Sequence, residues 1–359
     1  MKKSEKRLIA VAAVMFLAIG VSAPVSATEL EDAGILNALA AVTSASKSST
    51  TAVLANAGDF AVIREESVAF SSKYEGTEVR LPKSATDSIE FLTSRGSRFG
   101  VKLPFAASGQ APVEIASGVV AYDNKNASVT VPIAKTDGSL QVTTILANPE
   151  APTSYDYQFS LPKGAKIMAA GEGLVLMDGT KFLGAISAPW AKDANGRDVP
   201  THYEVNGNTV TQVVEHKTQK FAYPIVADPW LGLNLFSSIA LASWVYLNQP
   251  VVNLELSVWG WLVYTGVAQG AILTPSFAAG QAILDTSGWD EAWGKGGAIR
   301  AALDKPSQRQ QFSCHALGAI AAGPWNLEKG RPNRLNGNWG AGVAIHHCNW
   351  KFAEGSQWD

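Results

Sequence analysis

The centre of the sequence is a series of short apolar runs separated by turn residues, and this pattern restricts the fold more than any other feature. From about Asp59 to Ala227 the runs carry β-branched and aromatic residues at every second position, which is the period of a β-strand. Asp-Gly and Asn-Gly pairs between the runs supply the positive φ angles that tight hairpin turns need. The clearest predicted strands are Ser128–Ile133, Leu140–Leu146, Tyr155–Leu161, Gly173–Met177 and Asn208–Val214. Strands at this spacing predict an antiparallel β-sandwich.

The first 27 residues have the organisation of a signal peptide. Four cations among the first seven residues precede an uncharged apolar run from Leu8 to Val21. That run has the length of a signal-peptide core and is short for a membrane-spanning helix. The small residues of Val25-Ser26-Ala27 favour cleavage after Ala27. The alternative interpretation of the same residues is an uncleaved membrane anchor.

The charge and length of the mature chain limit its function and predict two domains. Removal of the signal leaves 25 basic and 30 acidic residues, a net charge of −5, which disfavours nucleic acid as a partner because nucleic-acid binding needs a clustered basic surface. The remaining 332 residues exceed what one core usually holds. We predict a flexible leader over residues 28–57, a β-rich sandwich-like domain over 58–227 and a smaller α+β domain over 228–359.

The only two cysteines, Cys314 and Cys348, lie in the last fifty residues. In an exported protein an even pair of thiols predicts a disulfide, because the compartment is oxidising. A bridge across this loop should stabilise the C-terminal domain by about 3–4 kcal/mol on a chain-entropy estimate. The fold class predicted for that domain is therefore α+β, closed by the Cys314–Cys348 disulfide.

Three of the five histidines lie within two residues of a cysteine, and three hypotheses compete for them. The first is a metal site, but the spacing does not match structural zinc sites, so we predict no metal and no cofactor. The second is catalysis by a histidine base with an orienting carboxylate, although no nucleophile motif is present. The third, which we favour, is a structural role beside the disulfide. The candidate catalytic residues are His315, His346, His347, Glu328, Asp290 and Glu291.

The stretch from 230 to 284 contains a single charged residue, Glu255. One interpretation is insertion into a membrane; the other is the buried core of the second domain. Polar residues interrupt the apolar runs repeatedly, which would be costly in hydrocarbon, so we favour core. Within this stretch the alternation of Leu254–Leu262 is typical of a strand.

The remaining C-terminal residues combine one helical segment with an irregular tail. Asp290–Leu303 is helix-like although glycines weaken it, and Pro306–Asp359 is rich in Gly, Asn and Trp. Trp325, Trp339 and Arg331 are candidate binding residues, since exposed tryptophans can stack on sugars. We favour the core for most tryptophans. For Arg331 an ion pair with Glu328 is favoured over an anion site.

Two groups of motifs resemble secreted bacterial proteins. APWAKDANGRDVPTHY (residues 188–203) and YPIVADP (223–229) resemble a β-rich module of secreted actinobacterial proteins. A C-H, then WNLExxRP, then C-N pattern is similar to the C-terminal domain of an uncharacterised secreted family. The residues that match this second pattern are Cys314, His315, Trp325, Asn326, Leu327, Glu328, Arg331, Pro332, Cys348 and Asn349. The resemblance implies export and a two-part build, and it implies no activity.

These features favour a secreted or cell-envelope-associated binding protein rather than an enzyme. Its expected partner is a cell-wall glycan or an extracellular protein, bound by an aromatic-rich surface of the C-terminal domain. One alternative is a secreted hydrolase that uses His315, His346 or His347. Another is a membrane-active antibacterial protein that acts through residues 230–284.

Overall fold

The structure is a computed structural model that describes residues 31–45, 51–93, 96–270, 277–318, 323–334 and 348–352. The predicted signal peptide, residues 1–27, lies outside the described residues, as does most of the predicted linker Ser44–Thr51.

The described residues form antiparallel strands followed by C-terminal helices. The strands are β1 (Ala61–Val62), β2 (Val68–Tyr74), β3 (Thr77–Pro82), β4 (Ile89–Thr93), β5 (Arg98–Lys102), β6 (Val113–Ala116), β7 (Val119–Asp123), β8 (Ser128–Ala134), β9 (Leu140–Leu146), β10 (Ser154–Ser160), β11 (Lys166–Ala170), β12 (Gly173–Asp178), β13 (Lys181–Ile186), β14 (Ala191–Lys192), β15 (Thr201–Asn206), β16 (Thr209–Val214), β17 (Ile225–Ala227), β18 (Trp230–Gly232), β19 (Phe236–Tyr246), β20 (Gln249–Leu256) and β21 (Trp325–Glu328). The helices are α1 (Asp32–Ala45), α2 (Val258–Gly270), α3 (Phe277–Ile283), α4 (Trp289–Gly294), α5 (Gly297–Leu303) and α6 (Pro306–Gly318), with a π-helical turn at Leu284–Gly288 between α3 and α4.

Two sheets form a sandwich, which confirms the predicted fold class. The first sheet has the order β1-β2-β3-β4-β5-β10-β16-β15. The second has the order β11-β12-β13-β18-β9-β8-β7-β6, and β17 joins β9 to β14. One hydrophobic cluster contains residues of both sheets, among them Phe91, Phe99 and Tyr157 of the first and Leu140 and Leu176 of the second. This shared core lies between the sheets, as in other β-sandwiches.

The outer face of the second sheet is covered as well, which explains why β8 and β9 are buried along their whole length. Helix α1 packs on one end of this face. Its apolar residues have the i, i+3, i+4, i+7 spacing of one helix face. The contacting residues are Ile35, Ala38, Leu39 and Val42 of α1 with Val129, Val131, Ile133, Ile145 and Val226 of the sheet.

The prediction of a flexible leader over 28–57 is therefore wrong for the described parts of that range. After α1, Val53 is buried, and the Leu54 N–H donates to Thr43 Oγ1 at 3.0 Å. The ammonium group of the buried Lys135 donates hydrogen bonds to the main-chain oxygens of Val53 and Ala55. The sequence offered Ile35–Val42 as a short helix, but its Ala, Ser and Thr composition concealed the packing, because few apolar residues are enough when they share one face.

The C-terminal region covers the other end of the same outer face. A second cluster joins Val175, Met177 and Phe182 of the sandwich to Trp259 and Leu284 of the C-terminal region. The third sheet, β19-β20-β21, belongs to this region. Strand β18 pairs with β9 and β13, so the sandwich extends to Gly232, beyond the predicted boundary at residue 227.

Three secondary-structure predictions in the C-terminal region need correction: the strand Leu254–Leu262, the helix Asp290–Leu303 and the irregular tail from Pro306. Leu254–Leu262 is a strand only as far as Leu256, and helix α2 begins at Val258. The predicted helix Asp290–Leu303 is broken at Gly296 and Gly297, whose φ angles are +66° and +51°.

The tail predicted to be irregular begins with helix α6, which the sequence conceals because polar residues such as Ser307, Gln308 and Gln311 share its buried face with Phe312. Gln311 Nε2 donates to the Glu328 carbonyl at 3.1 Å, and the Glu328 N–H donates to Gln311 Oε1 at 2.8 Å. These two bonds satisfy the main chain of β21 on the side away from β20. A helix that packs through glutamine has no apolar periodicity to detect.

The charge-poor stretch 230–284 contributes to the C-terminal core, as favoured from the sequence, and also has exposed residues. Ile239, Val252, Leu254, Trp259 and Val263 are all buried. Within the described residues, no helix has the length and apolar character needed to cross a membrane.

Asp228 is fully buried where the sandwich continues into the C-terminal region. Its carboxyl group accepts hydrogen bonds from the Trp190 main-chain N–H at 3.3 Å and from Gln141 Nε2 at 3.4 Å. Burial raises the pKa of this carboxyl group to about 8, and the hydrogen bonds offset only part of that effect. The group is therefore protonated in the folded protein at neutral pH.

The packing of α1 predicts a large effect for Leu39→Ala. Leu39 is fully buried against the sheet, so its truncation should lower the free energy of unfolding by about 2–5 kcal/mol. Asn37→Ala, on the exposed face of the same helix, should change it by less than about 0.5 kcal/mol. Urea denaturation measures both. Equal midpoints for the two variants would show that α1 does not pack as described.

Asp228 predicts a pH dependence of stability with a definite sign. Because the folded pKa is raised above the unfolded value, the folded state binds more protons between about pH 4 and pH 8. Stability attributable to this group is present below about pH 4 and is lost as pH rises to about 8, at up to about 1.4 kcal/mol per pH unit. Asp228→Asn should remove that slope. Parallel stability–pH curves for parent and variant would contradict the prediction.

Candidate functional site

The predicted disulfide is present and attaches the described segment 348–352 to helix α6. Cys314 and Cys348 are bonded, with their Cα atoms 5.5 Å apart and a separation of 34 positions in sequence. Both residues are buried. The bridge therefore belongs to the core of the C-terminal region.

His315, the one described histidine of the predicted catalytic set, lies in this core. It is buried, and its ring stacks on Trp325 with centroids 5.5 Å apart and an interplanar angle of 10°. A general base must reach the substrate proton directly or through one water, and the buried position of His315 disfavours that role. His346, His347 and the candidate binding residue Trp339 lie outside the described residues. The described part of the chain contains no group of three or more His, Cys, Asp and Glu side chains placed to hold a metal ion.

Glu328 and Arg331 form the ion pair favoured from the sequence. Arg331 Nε donates to Glu328 Oε2, and both side chains are almost completely buried. Asn349 Nδ2 donates to the other Glu328 oxygen at 3.3 Å, and Arg331 Nη1 donates to the Trp350 carbonyl at 3.3 Å. The pair thereby fixes the residues that follow Cys348.

The candidate binding residues Trp325 and Arg331 are internal, in agreement with the core position and the ion pair that the sequence favoured over a binding surface. Trp325 packs edge-on against Phe236 and Phe312 with centroid distances of 5.5 and 5.3 Å. Arg331 places its guanidinium 3.8 Å from the centroid of the Tyr246 ring. Both residues pack against side chains of β19, Trp325 against Phe236 and Arg331 against Tyr246.

The exposed feature that these residues support is the tip of the β19–β20 hairpin. We define the hairpin tip as Leu241, Trp244, Val245 and Leu247, whose exposed fractions are 43%, 42%, 61% and 69%. Strand β21 pairs with Val251–Leu254 of β20, and the Lys329 N–H donates to the Pro250 carbonyl at 3.1 Å, so the turn at Leu247 and Asn248 lies just past the end of this ladder. Large apolar side chains grouped at one exposed end are typical of a contact surface.

The turn at the hairpin tip has an unfavourable residue. Leu247 and Asn248 have φ angles of +50° and +57°, the pattern of a type I′ turn. Asn, Asp and Gly are preferred at such positions, whereas the left-handed conformation costs other residues about 1–2 kcal/mol. Leu247 therefore has two unfavourable features, a left-handed backbone conformation and an apolar side chain exposed to water. Such a residue motivates a hypothesis about its side chain.

A bulge beside the turn directs the other apolar residues outward. Leu241 pairs with Val252 and Val245 pairs with Pro250, so three residues of β19 lie opposite one residue of β20. Bulges of this kind bend the strand and change the direction of its side chains. Trp244 lies within the bulge.

The hairpin is held at both ends. At its base, the buried Glu291 carboxylate accepts the main-chain N–H groups of Leu235 and Phe236 at 2.7 and 3.1 Å. Near its tip, Gly330 approaches so closely that a Cβ there would lie 2.5 Å from the Tyr246 carbonyl oxygen. The stacked Arg331 completes this support. The apolar tip is therefore presented on a fixed scaffold.

Sequence reasoning located the region of the tip but not the tip itself. The low charge of 230–284 and the presence of Trp244 were both visible. Nothing in the sequence separates the buried Val251 and Val252 from the exposed Val245 and Leu247. A Leu-Asn pair between two apolar runs was the one available signal for the turn.

Apart from the hairpin tip, the structure has a cleft of about 440 Å³ between α1 and the turn at residues 193–196. The one ionisable residue that lines it is Asp193. Its carboxylate accepts the main-chain N–H groups of Asn195, Arg197 and Ala222, which is the usual role of Asp in such turns. The DANGR part of the predicted motif is therefore used to build a turn.

Comparison of the chain with protein-family models and with curated proteins found no match. The resemblance to secreted actinobacterial proteins stays a prediction.

The buried ion pair predicts a non-additive pair of substitutions. Arg331→Met leaves the Glu328 carboxylate buried without its partner, which should cost about 3–5 kcal/mol of stability. Adding Glu328→Gln should recover most of this loss. The exposed pair of Arg98 and Glu90 is the control, and Arg98→Met should cost less than about 1 kcal/mol.

Urea denaturation of the four proteins measures these differences. A double variant as unstable as Arg331→Met would show that the unpaired carboxylate is not the cause of the loss.

Proposed function

We propose that this chain is a secreted, cell-envelope-associated interaction protein and that the hairpin tip is its contact surface. The observation that carries the proposal is Leu247, which is 69% exposed at φ +50° on a hairpin fixed at both ends. A residue that is unfavourable in its own protein is retained most simply because it gains free energy when a partner covers it.

The magnitude of that gain supports the proposal. Removing an aliphatic or aromatic side chain from water stabilises by about 1.5–3 kcal/mol when burial is complete. The hairpin tip has four such side chains, each already about half exposed or more. Covering them offsets the conformational cost of Leu247 and leaves a surplus for binding, because the fixed scaffold loses little entropy on contact.

Export is part of the proposal and is supported by two features. The first 27 residues have the charge and hydropathy pattern of a signal peptide. The Cys314–Cys348 disulfide is a bond that persists in oxidising compartments outside the cytoplasm.

The hydrolase hypothesis has less support than the interaction hypothesis. It requires a histidine that meets solvent, and His315 is buried against Trp325. The tip itself has no carboxylate, histidine or nucleophilic pair. Its aliphatic residues also fit a glycan poorly, since sugars stack on aromatic faces and need polar partners.

The proposed function predicts that the tip retains the protein on the cell envelope. The mature protein, from residue 28 onward, is incubated with the envelope fraction of its native host, and bound protein is sedimented and quantified. Val245→Ser with Leu247→Asn should reduce retention at least about tenfold, because two apolar contacts are lost.

The matched control is Val62→Ser with Val113→Ser, which changes two valines on the sandwich that are 69% and 55% exposed. The control should retain parental binding, and all proteins should show the same circular dichroism spectrum. Equal retention of tip variant and control would refute the hairpin tip as the contact surface.

A further inference from the structure

We propose that the partner of the hairpin tip is the interfacial region of a lipid bilayer, entered by the tip to the depth of the headgroups. This inference rests on the proposed function and names the chemistry of its partner. It concerns a shallow contact by Leu241, Trp244, Val245 and Leu247, without a segment that crosses the bilayer.

The shape of the tip fits a deformable surface better than a binding pocket. The turn at Leu247 and Asn248 is the apex of the hairpin, and the chain after β21 flanks it on one side, where the Lys329 N–H donates to the Pro250 carbonyl at 3.1 Å and Gly330 lies against Tyr246. The exposed apolar residues stand at this apex and along the edge strand β19. An apolar apex can enter a lipid surface without a complementary cavity, whereas a protein partner would have to supply one.

The distribution of charge also favours lipid. Between Asp228 and Asp285 the one charged residue is Glu255, which lies opposite Ser238 at the far end of the hairpin from the turn. The polar residues beside the tip are Ser243, Asn248 and Gln249, all uncharged. Protein interfaces usually have a polar rim with charged groups, whereas an uncharged rim avoids the cost of bringing charge to a bilayer.

The charged side chains that follow β21 beneath the tip are engaged. Lys329, whose N–H donates to the Pro250 carbonyl at 3.1 Å, donates its ammonium hydrogen to the Ala301 carbonyl. The Arg331 guanidinium lies over the Tyr246 ring and is paired with Glu328. It therefore has no exposed charge to attract an anionic headgroup, and the inferred contact is hydrophobic. We expect similar binding to zwitterionic and anionic vesicles and weak dependence on salt.

The aromatic residue of the tip sets the depth. Trp244 is 42% exposed beside three aliphatic residues, and tryptophan prefers the boundary between headgroups and acyl chains. The bulge removes residues 242–244 from the regular strand pairing. Main-chain groups outside a ladder need water or polar partners, so this segment should stay at headgroup level.

The bulge also disfavours a second copy of the chain as the partner. Strand β19 is an edge of the third sheet, and edges of this kind can add a strand from another molecule. Addition needs a regular row of main-chain groups, and the bulge at Leu241–Val245 interrupts it.

The test is partition of the mature protein onto extruded vesicles of phosphatidylcholine alone and of phosphatidylcholine with phosphatidylglycerol. We expect the parent protein to float with both. Leu247→Asn should reduce the bound fraction about threefold to tenfold, since one apolar contact is lost. The same variant replaces leucine by a preferred type I′ residue, so its melting temperature should equal or exceed that of the parent. Val62→Ser, which removes an equally exposed side chain elsewhere, should bind as the parent does.

Depth is measured with brominated lipids and the difference in fluorescence between the parent and Trp244→Phe. Bromine placed near the headgroup end of the acyl chain should quench the Trp244 contribution more than bromine placed near the chain terminus. Equal quenching at both depths, or none, would overturn the shallow insertion.

Other outcomes separate this inference from the proposed function. Failure of the folded parent to bind either vesicle, with tip-dependent retention on the envelope intact, would overturn the lipid partner and leave the interaction surface. If the tip variants bound as the parent does to vesicles and to the envelope, the lipid partner and the contact surface would both be overturned. A concentration-dependent dimer in sedimentation experiments that Leu247→Asn abolishes would identify a second copy as the partner and overturn the lipid partner.

Discussion

The stacking of Arg331 on Tyr246 is the contact on which the C-terminal architecture depends. It joins the hairpin to the chain around Gly330, and the same guanidinium is bound to Glu328 and to the Trp350 carbonyl. Trp350 lies two residues after Cys348, which the disulfide attaches to α6. Because buried charges are stable only when they are paired, the position of Arg331 is set by several partners at once. The hairpin is fixed through it.

The second sheet of the sandwich is the platform for everything else. Its inner face shares a core with the first sheet, and its outer face is covered by α1 at one end and by the C-terminal region at the other. Strands buried on both faces have continuous apolar character, which fits the full burial of β8 and β9. The outer face thereby places the helices and the hairpin on one side of the sandwich.

The accuracy of sequence reasoning followed the strength of local periodicity. β9 matched its predicted limits of Leu140 and Leu146, because alternation and flanking turns both marked it. Helix α6 was missed, because Gln311 and other buried polar residues interrupt the apolar residues on its packed face. The packing of Leu39 was missed because a short apolar face in an alanine-rich segment resembles a linker in composition. Low complexity in sequence did not mean absence of a core contact.

The sequence by itself determined the β class, the disulfide and the ion pair between Glu328 and Arg331, since each follows from local pattern or from the chemistry of a residue pair. Only the tertiary structure decided that His315 and Trp325 are internal and that Leu247 is external. Their exposure depends on which strand or helix lies beside them. That choice is made by long-range pairing of β20 with β21, which joins residues about seventy positions apart.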